Sequence, residues 1–418
     1  MHVALDAILR RTVGLGRLTV RWPDGRITDY SGQPGPQAAV RLTEWASVRR
    51  LVLNPALAFG EAYMDGTMTP ESCGIFDLLD VLLSNVNANK SAHPLIRPWR
   101  RLRALKRRLD QFNPIARAQK NVAHHYDLNG RLYSLFLDRD RQYSCAYFAR
   151  GGETIDEAQA AKKRHIAAKL CLDRPDLEVL DIGCGWGGLA LSLARDFGAR
   201  VTGITLSREQ WAEARTRAAN EGLADRVTFE LRDYRTIDRQ FDRIVSVGMF
   251  EHVGLNHFQH FFGQAARCLR PDGVALLHAI GRAHGPGSTN PWIAKYIFPG
   301  GFSPALSEVL PAVEKSGPLV TDIEILRLYY AEASRHWRWR FAANRDAIAA
   351  LYDERFCRMF EFYLAASEIG FRREDQMVFQ LQMAHRIGSA PLTRDYVAEN
   401  EAADMILQHS PFSTLSTG

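Results

Sequence analysis

Cysteine is scarce in this chain of 418 residues, which has six cysteines and no C-x-x-C pair. Scattered thiols are typical of a reduced, cytoplasmic protein rather than of a disulfide framework. Long apolar runs are also missing, and without 18 or more consecutive apolar residues the sequence predicts no transmembrane helix. Asp6, Arg10 and Arg11 interrupt the first apolar stretch, which argues against a signal peptide. We therefore expect a cytoplasmic protein that reaches a membrane only at its surface.

An acidic residue is missing where a dinucleotide-binding enzyme would need one. The predicted strand Glu178–Ile182 runs into a turn with glycines at 183, 185 and 187, where a Cβ would obstruct an approaching ligand. The next predicted strand, Arg200–Thr205, ends about 20 residues later, where such enzymes place an acid on the ribose. Thr205, Leu206 and, one helical turn on, Gln210 stand there instead. Neutral side chains at this point favour S-adenosylmethionine (SAM) over NAD as the ligand.

The net charge of +6 is spread unevenly. Seven cations fall within twelve residues, at positions 97, 100, 101, 103, 106, 107 and 108. They fit either a solvated linker helix or a patch facing anionic lipid headgroups, where each cation near the surface contributes about 1 kcal/mol. A nucleic-acid partner is disfavoured because no stacking aromatics alternate with these charges. The linker and lipid interpretations both stay open.

The pattern along the chain predicts three regions. Residues 1–90 predict a small α+β domain, with a hairpin turn at Pro23-Asp-Gly25 and a helix from 75 to 83. Residues 91–114 predict a basic linker, and residues 115–408 a catalytic domain. There, short apolar strands alternate with helices, which predicts an α/β fold with a doubly wound parallel sheet. Residues 285–318 predict a lid, and we expect the remainder to about 408 to be mostly helical.

The predicted strands of that sheet are Glu178–Ile182, Arg200–Thr205, Val227–Leu231, Phe241–Val247 and 274–280. Ligands of doubly wound sheets bind at the carboxyl ends of the strands. We therefore expect one rim of the sheet to gather the glycine turn, Thr205, Asp233, residues 248–252 and His278.

Five ordered blocks of sequence resemble the cyclopropane-fatty-acyl-phospholipid synthase family, to which mycolic acid cyclopropane synthases are similar. The blocks are FGEAYMDG at 59–66, NVAHHYDL at 121–128 with QYSCAYF at 142–148, LDIGCGWGG at 180–188, VGMFEHVG at 247–254 and LLHAIG at 276–281. The resemblance implies a Rossmann-like class I SAM-dependent methyltransferase that adds a methylene group to a cis double bond in a phospholipid acyl chain. It also implies an enzyme that is often a homodimer, peripheral to the inner face of the membrane, with an N-terminal domain that engages lipid.

The resemblance also implies how the reaction proceeds. An isolated alkene is a weak nucleophile, so it must be held against the SAM methyl group in a dry pocket, and the resulting carbocation must lose a proton. The sequence itself offers no obvious strong base for that step. In the family a bound bicarbonate is thought to act as the base, and the positions implied to hold it are Cys145, Glu251, His278, the backbone at Ile280, and Tyr330, with Tyr329 as the alternative to Tyr330.

For the cofactor, the resemblance places the glycine turn along the methionine and ribose, and Thr205 with Gln210 near the ribose. Asp233 and Tyr234 suit the adenine, where a carboxylate can accept from the exocyclic amine. The complete set of predicted SAM contacts is Tyr143, Ser144, Asp181, Gly183, Gly185, Gly187, Thr205, Leu206, Gln210, Asp233, Tyr234, Val247 and Gly248. A structural thiol at Cys145, a capping role for Asp233 and simple packing of Tyr330 are the competing interpretations.

Other functions remain as alternatives. A fatty-acyl methyltransferase that leaves a methyl or methylene branch would share the fold and the cofactor and differ only in the fate of the carbocation. A non-enzymatic lipid-binding protein would keep the fold without the chemistry, but the intact glycine turn and Glu251 speak against it. No metal is expected, because no carboxylate completes a ligand set with His252, His257 and His260.

Overall fold

The computed structural model describes residues 2–88 and 130–408, with side chains described for 2–85 and 130–402. The basic cluster at 97–108, the linker predicted at 91–114 and the block at 121–128 lie outside the described residues. Elements are numbered below in chain order over the described residues.

The N-terminal part forms a small α+β unit. Its helices are α1 His2–Thr12, α2 Trp45–Leu53, α3 Pro55–Met64 and α4 Ile75–Ala88, and its strands are β1 Leu15–Arg21, β2 Ile27–Ser31, β3 Gln33–Leu42 and β4 Met68–Pro70. The strands form a sheet in the order β2-β1-β3-β4. The β1–β2 pair is antiparallel across a turn in which Gly25 has φ of +85°. The hairpin predicted at Pro23-Asp-Gly25 is therefore confirmed.

The larger part is a seven-stranded sheet covered by helices. Its strands are β5 Glu178–Ile182, β6 Arg200–Thr205, β7 Val227–Leu231, β8 Phe241–Val247, β9 Leu269–Arg282, β10 Leu319–Leu326 and β11 Gln376–Ala384. The helices are α5 Gly130–Phe136, α6 Ile155–Lys169, α7 Gly188–Phe197, α8 Arg208–Asn220, α9 Phe258–Cys268, α10 Pro291–Tyr296, α11 Leu306–Glu314, α12 Tyr329–Ala343, α13 Arg345–Leu351, α14 Glu354–Arg373 and α15 Asp395–Gln408.

The sheet order is β10-β11-β9-β8-β5-β6-β7. Strands β5 to β9 are parallel to one another, while β11 runs antiparallel to both β9 and β10. The expected α/β class is confirmed, and the five predicted strands are parallel to one another as expected. The chain after residue 318 is mostly helical, as expected, but it also contains two strands, β10 and β11, that were not predicted and that make this edge of the sheet antiparallel. Strand β11 escaped prediction because Gln380 and Gln382 interrupt the apolar run that marks a strand buried on both faces.

The two parts pack against each other through α3, α10 and α14. The indole nitrogen of Trp292 on α10 lies 3.2 Å from the sulfur of Met64 on α3. Glu61 accepts hydrogen bonds from Lys295 at 2.7 Å and from the hydroxyl of Tyr296 at 2.9 Å. The N-terminal part therefore supports the segment expected to be a lid. None of the described helices is long and apolar enough to cross a membrane.

Candidate active site

A large cavity opens at the carboxyl ends of β5, β6, β7 and β8. Twelve of the thirteen predicted SAM contacts line it, the exception being Gly187. Gly187 instead begins α7 with φ of +83°, and a Cβ there would lie 2.7 Å from the ring of Phe229. The other residues lining the cavity are Arg141, Gln142, Ile182, Cys184, Trp186, Leu189, Ile204, Arg232, Arg235, Met249, His252 and Val253.

The glycine turn brings backbone to the cavity surface. Gly183 has φ of +85°, and a Cβ there would lie 2.7 Å from Cβ of Met249. Gly185 has φ of +55°, and a Cβ there would have no atom within 4 Å, so this residue borders open space. The amides of Gly183 and Cys184 both donate to the carbonyl of Ile204, at 2.9 and 3.0 Å, which fixes the turn to the end of β6.

Neutral side chains occupy the end of β6, as the sequence predicts. The hydroxyl of Thr205 donates to Oε1 of Gln210 at 3.0 Å, and the amide of Ser207 donates to the same hydroxyl at 3.2 Å. Ser207 also caps α8 by accepting from the amide of Gln210. The hydroxyl and amide groups of this cluster are suited to hydrogen bonds with ribose hydroxyls.

Asp233 has a different environment from the one expected for an adenine acceptor. Its two carboxylate oxygens accept from Nε and Nη2 of Arg235, at 2.8 and 2.6 Å, and it caps the short 3₁₀ turn that follows. The ring of Tyr234 packs edge-on against Phe261, with ring centroids 5.3 Å apart. Asp233 therefore organises the rim through an ion pair, which the predicted adenine contact would have to share.

Lys162 is a component of the site that sequence reasoning missed. It is fully buried, and its ammonium donates to Oε1 of Gln142 at 2.7 Å and to the hydroxyl of Ser144 at 2.9 Å. Burial lowers the pKa of Lys162 to about 8, against the opposing field of Asp138. The signal was present in α6, because Gln159, Lys162 and Lys169 recur on its buried face, where apolar residues are the rule.

Asp181 lies at the end of β5 in the wall of the large cavity. It is 1% exposed, and Oδ2 has no hydrogen-bond partner among the described residues. Burial raises the pKa of its carboxyl group to about 7. A ligand with a donor group would therefore gain an acceptor that the described protein leaves unused.

A smaller cavity adjoins the first and shares Tyr143, Ser144, Gly248 and His252 with it. All five residues predicted for the catalytic site line this second cavity: Cys145, Glu251, His278, Ile280 and Tyr330. The remaining lining is mostly apolar and comes from the segment around α10: Thr289, Ile293, Phe298, Gly301, Phe302 and Ser303. A polar floor thus faces an apolar cover.

Glu251 and Ile280 contact each other directly. Oε1 of Glu251 accepts from the amide of Ile280 at 2.6 Å, whereas Oε2 has no partner among the described residues. Burial raises the pKa of Glu251 to about 7. The amide of Ile280 is therefore engaged by a side chain, and an anion in the cavity would find the carboxyl group of Glu251 in its place.

The other polar groups of the smaller cavity are neutral. His278 is 2% exposed, burial holds its pKa well below the usual range, and Nε2 has no partner among the described residues. Burial raises the pKa of Cys145, whose thiol donates to the carbonyl of Ala146 at 3.3 Å. Tyr330 stacks on Phe371, with ring centroids 4.4 Å apart. Cys145 is consequently a weak donor here and is not an activated nucleophile.

His252 belongs to both cavities, in agreement with the rim position expected for residues 248–252, although it was not predicted as a site residue. Burial lowers its pKa to about 4, so its ring is neutral at physiological pH. His260, considered with His252 and His257 as a metal ligand, is exposed on α9. Residues 2–88 and 130–408 contain no group of three or more side chains positioned to hold a metal ion.

This combination of sheet, glycine turn, neutral side chains at the end of β6 and adjoining cavity defines a class I SAM-dependent methyltransferase. The chain belongs to the cyclopropane synthase family within that class, since the family model described as mycolic acid cyclopropane synthetase matches residues 114–381. A second family model, described only as a domain of unknown function, matches residues 5–92.

Individual relatives agree with this assignment. The cyclopropane-fatty-acyl-phospholipid synthase of Escherichia coli K12 is 39% identical over 345 residues, which cover 82% of this chain and 87% of that one. The tuberculostearic acid methyltransferase UfaA1 of Mycobacterium tuberculosis is 36% identical over 391 residues, covering 90% and 89%. The solved structure of the mycolic acid cyclopropane synthase CmaA1 with SAH and CTAB superposes with a TM-score of 0.61 at 34% identity, covering 66% of this chain and 99% of that one.

Proposed function

We propose that this chain adds a methylene group from SAM across the cis double bond of an unsaturated phospholipid acyl chain, forming a cyclopropane ring at a membrane surface. The observation that supports this most directly is the pair of adjoining cavities with a common wall at Tyr143, Ser144, Gly248 and His252. One cavity has the polar lining that a nucleoside needs, and the other has the apolar cover that an acyl chain needs.

When bound, SAM supplies an electrophilic methyl group on its sulfonium. The residues of the common wall would bring the double bond within reach of that methyl group and exclude water. The alkene electron pair would form a new C–C bond to that methyl group while the S–CH₃ bond breaks; the electron pair of that bond would stay on the sulfur of the departing S-adenosylhomocysteine, and a carbocation would remain on the chain. To close the ring, one C–H bond of the added methyl breaks, its electron pair forms the second C–C bond, and the proton leaves.

We further propose that bicarbonate in the smaller cavity accepts this proton. The residues there fit a small oxyanion, because Nε2 of His278 and Oε2 of Glu251 have no partner among the described residues, and the thiol of Cys145 could turn from the carbonyl of Ala146 to donate to the anion. An ionised Glu251 would in turn accept the proton that bicarbonate carries. His278, Glu251 and Cys145 would thus hold the anion beside the carbocation.

Mass spectrometry of the products tests the proposal. Purified protein is incubated with labelled SAM and vesicles of cis-unsaturated phospholipid, and the fatty acids are released as methyl esters. An ester heavier by one CH₂ that resists hydrogenation supports the ring, and a slower rate in buffer stripped of carbon dioxide supports bicarbonate. The same mass gain in an ester that takes up hydrogen would contradict the ring and favour a fatty-acyl methyltransferase that leaves a methyl or methylene branch; the similar UfaA1 is named a tuberculostearic acid methyltransferase.

A further inference from the structure

Gln380 on β11 lies directly beside His278 on β9. The two residues are paired in antiparallel register, and neither is more than 2% exposed. Nε2 of the Gln380 amide lies 3.2 Å from Nδ1 of His278. An amide nitrogen can only donate, so Nδ1 of the imidazole accepts.

This contact determines which nitrogen of His278 carries the proton. Burial, together with the cations Lys162, His165 and Lys169 of α6, holds the pKa of His278 low, so the ring is neutral. A neutral imidazole with its lone pair on Nδ1 carries its proton on Nε2. His278 is part of the wall of the smaller cavity, and Nε2 has no partner among the described residues. The ring can therefore offer an N–H donor to a ligand in that cavity.

We propose that Gln380 is a positioning residue for the proton-removal step, because it selects the Nε2–H tautomer of His278 and so keeps a hydrogen-bond donor available to an oxyanion in the smaller cavity. The oxyanion part rests on the proposed function, whereas the assignment of the tautomer stands on the contact with the Gln380 amide nitrogen and on the neutral ring. Gln380 would act only through His278.

Stability alone does not account for Gln380. Its Oε1 is buried without a partner among the described residues, and an apolar side chain of similar shape would remove that unsatisfied acceptor. Its neighbour across the other strand pair is Glu324, which is already held by Nε2 of His165 at 2.9 Å and by Lys169 and Arg394, each at 2.5 Å. Within the described residues, the hydrogen-bond partner of the Gln380 amide is therefore His278.

The same strand offers a matched control. Gln382 is also buried and lies on the same face of β11, where its amide donates to the carbonyl of Lys169 at 2.5 Å and to the hydroxyl of Tyr396 at 2.8 Å. It makes no contact with His278. Replacing either glutamine by leucine removes a buried amide, but only one of the two replacements frees Nδ1 of His278.

The tautomer is measured by ¹⁵N NMR on the full chain labelled at histidine, with His278→Gln identifying the signal. We expect the proton on Nε2 in the unaltered protein. In Gln380→Glu, a carboxylate that can only accept should move the proton to Nδ1. For turnover, Gln380→Leu should lower kcat about tenfold or more with the KM for SAM unchanged, whereas Gln382→Leu should stay within about twofold even if its melting temperature falls as far.

A proton on Nδ1 in the unaltered protein would overturn the proposal, and so would equal losses of kcat in the two leucine variants. The experiments distinguish a failure of the tautomer proposal from a failure of the proposed function. A protein that shows the Nε2–H signal and its loss in Gln380→Glu, yet modifies no acyl chain, would support the tautomer assignment and contradict the proposed function.

Discussion

The wall of the larger cavity includes a glycine turn and a paired Asp233 and Arg235, whereas the wall of the smaller one includes buried side chains with unused polar atoms. Around the first, the glycine turn approaches the ligand space directly, and Asp233 and Arg235 neutralise each other. Around the second, Oε2 of Glu251 and Nε2 of His278 are buried without partners among the described residues. The two cavities share a wall but are built on different physical principles.

This difference between the cavities shows where buried polar groups lower the stability of the fold and are available to a ligand. A buried polar group without a partner costs about 1–3 kcal/mol. The smaller cavity contains two such groups, so its polar floor is a local cost that a bound oxyanion would offset. In the wall of the larger cavity, Oδ2 of Asp181 is such a group. Changes in the smaller cavity should therefore affect turnover, and changes in the larger one should affect cofactor affinity.

The largest expected effect separates turnover from binding. Glu251→Gln keeps the size of the side chain and an acceptor for the Ile280 amide, but it removes the ionisable group. We expect kcat to fall about 10²- to 10⁴-fold, the range for lost acid–base participation. The dissociation constant for SAM, measured by calorimetry, should be unchanged. Glu153→Gln, at a glutamate equally buried in a loop that lies outside both cavities, serves as the control. A loss of SAM affinity in Glu251→Gln as large as its loss of kcat would contradict the distinction between a cavity for turnover and a cavity for cofactor binding.

A glycine substitution tests the converse. Gly183→Ala forces a Cβ to within 2.7 Å of Met249 at a φ of +85°, and should weaken SAM binding about tenfold, which corresponds to about 1.4 kcal/mol. Gly222 has φ of +67° but open space around it, so Gly222→Ala carries the same backbone strain of about 1–2 kcal/mol without touching the cavity. Both variants should melt earlier, and only Gly183→Ala should bind SAM more weakly. If SAM binding weakens equally in the two variants, backbone strain and not the position of the substituted glycine in the cavity causes the loss of affinity.

The same contrast explains what could be predicted from the sequence. Strands β5 to β8 have the predicted bounds because each is an apolar run next to a glycine, turn or cap. Glu251 and His278 were expected at the rim from the ends of their strands as well as by resemblance, whereas Cys145 and Tyr330 were implied by resemblance alone, since they are far apart in sequence and meet only through the fold. Lys162 and Gln380 were missed because a polar residue on a buried face has no local signature of its partner. Gln380 is 102 positions from His278.

A smaller effect is expected from a substitution that lies outside the smaller cavity but displaces part of its wall. Gly60 on α3 faces Trp292 so closely that a Cβ would lie 2.6 Å from Cδ1 of the indole. Gly60→Ala should displace α10, whose Ile293 lines the smaller cavity, and raise the KM for phospholipid by several-fold, on the order of 1 kcal/mol. SAM affinity should not change. As a control, Lys295→Ala removes only the half-exposed ion pair to Glu61 and should change little. If Gly60→Ala also lowered the affinity for SAM, the result would contradict the expectation that the two cavities respond independently.

The smallest effect is a change in the pH profile of kcat. The profile is measured at saturating SAM, so that ionisation of Asp181 in the larger cavity does not limit SAM binding. Burial raises the pKa of Glu251 to about 7, so kcat should rise with pH near 7 as this carboxyl group ionises. Burial lowers the pKa of Lys162 to about 8, so kcat should fall near pH 8 as its ammonium loses the proton that holds Ser144 and Gln142.

Lys162→Arg keeps the positive charge at every accessible pH, because a guanidinium does not lose its proton in proteins. It should therefore move the alkaline limb upward, while Lys163→Arg at the next position should leave it in place. Retention of the limb in Lys162→Arg would assign it to another group, and the buried lysine would then be a structural support of the common wall rather than a group whose charge the reaction requires.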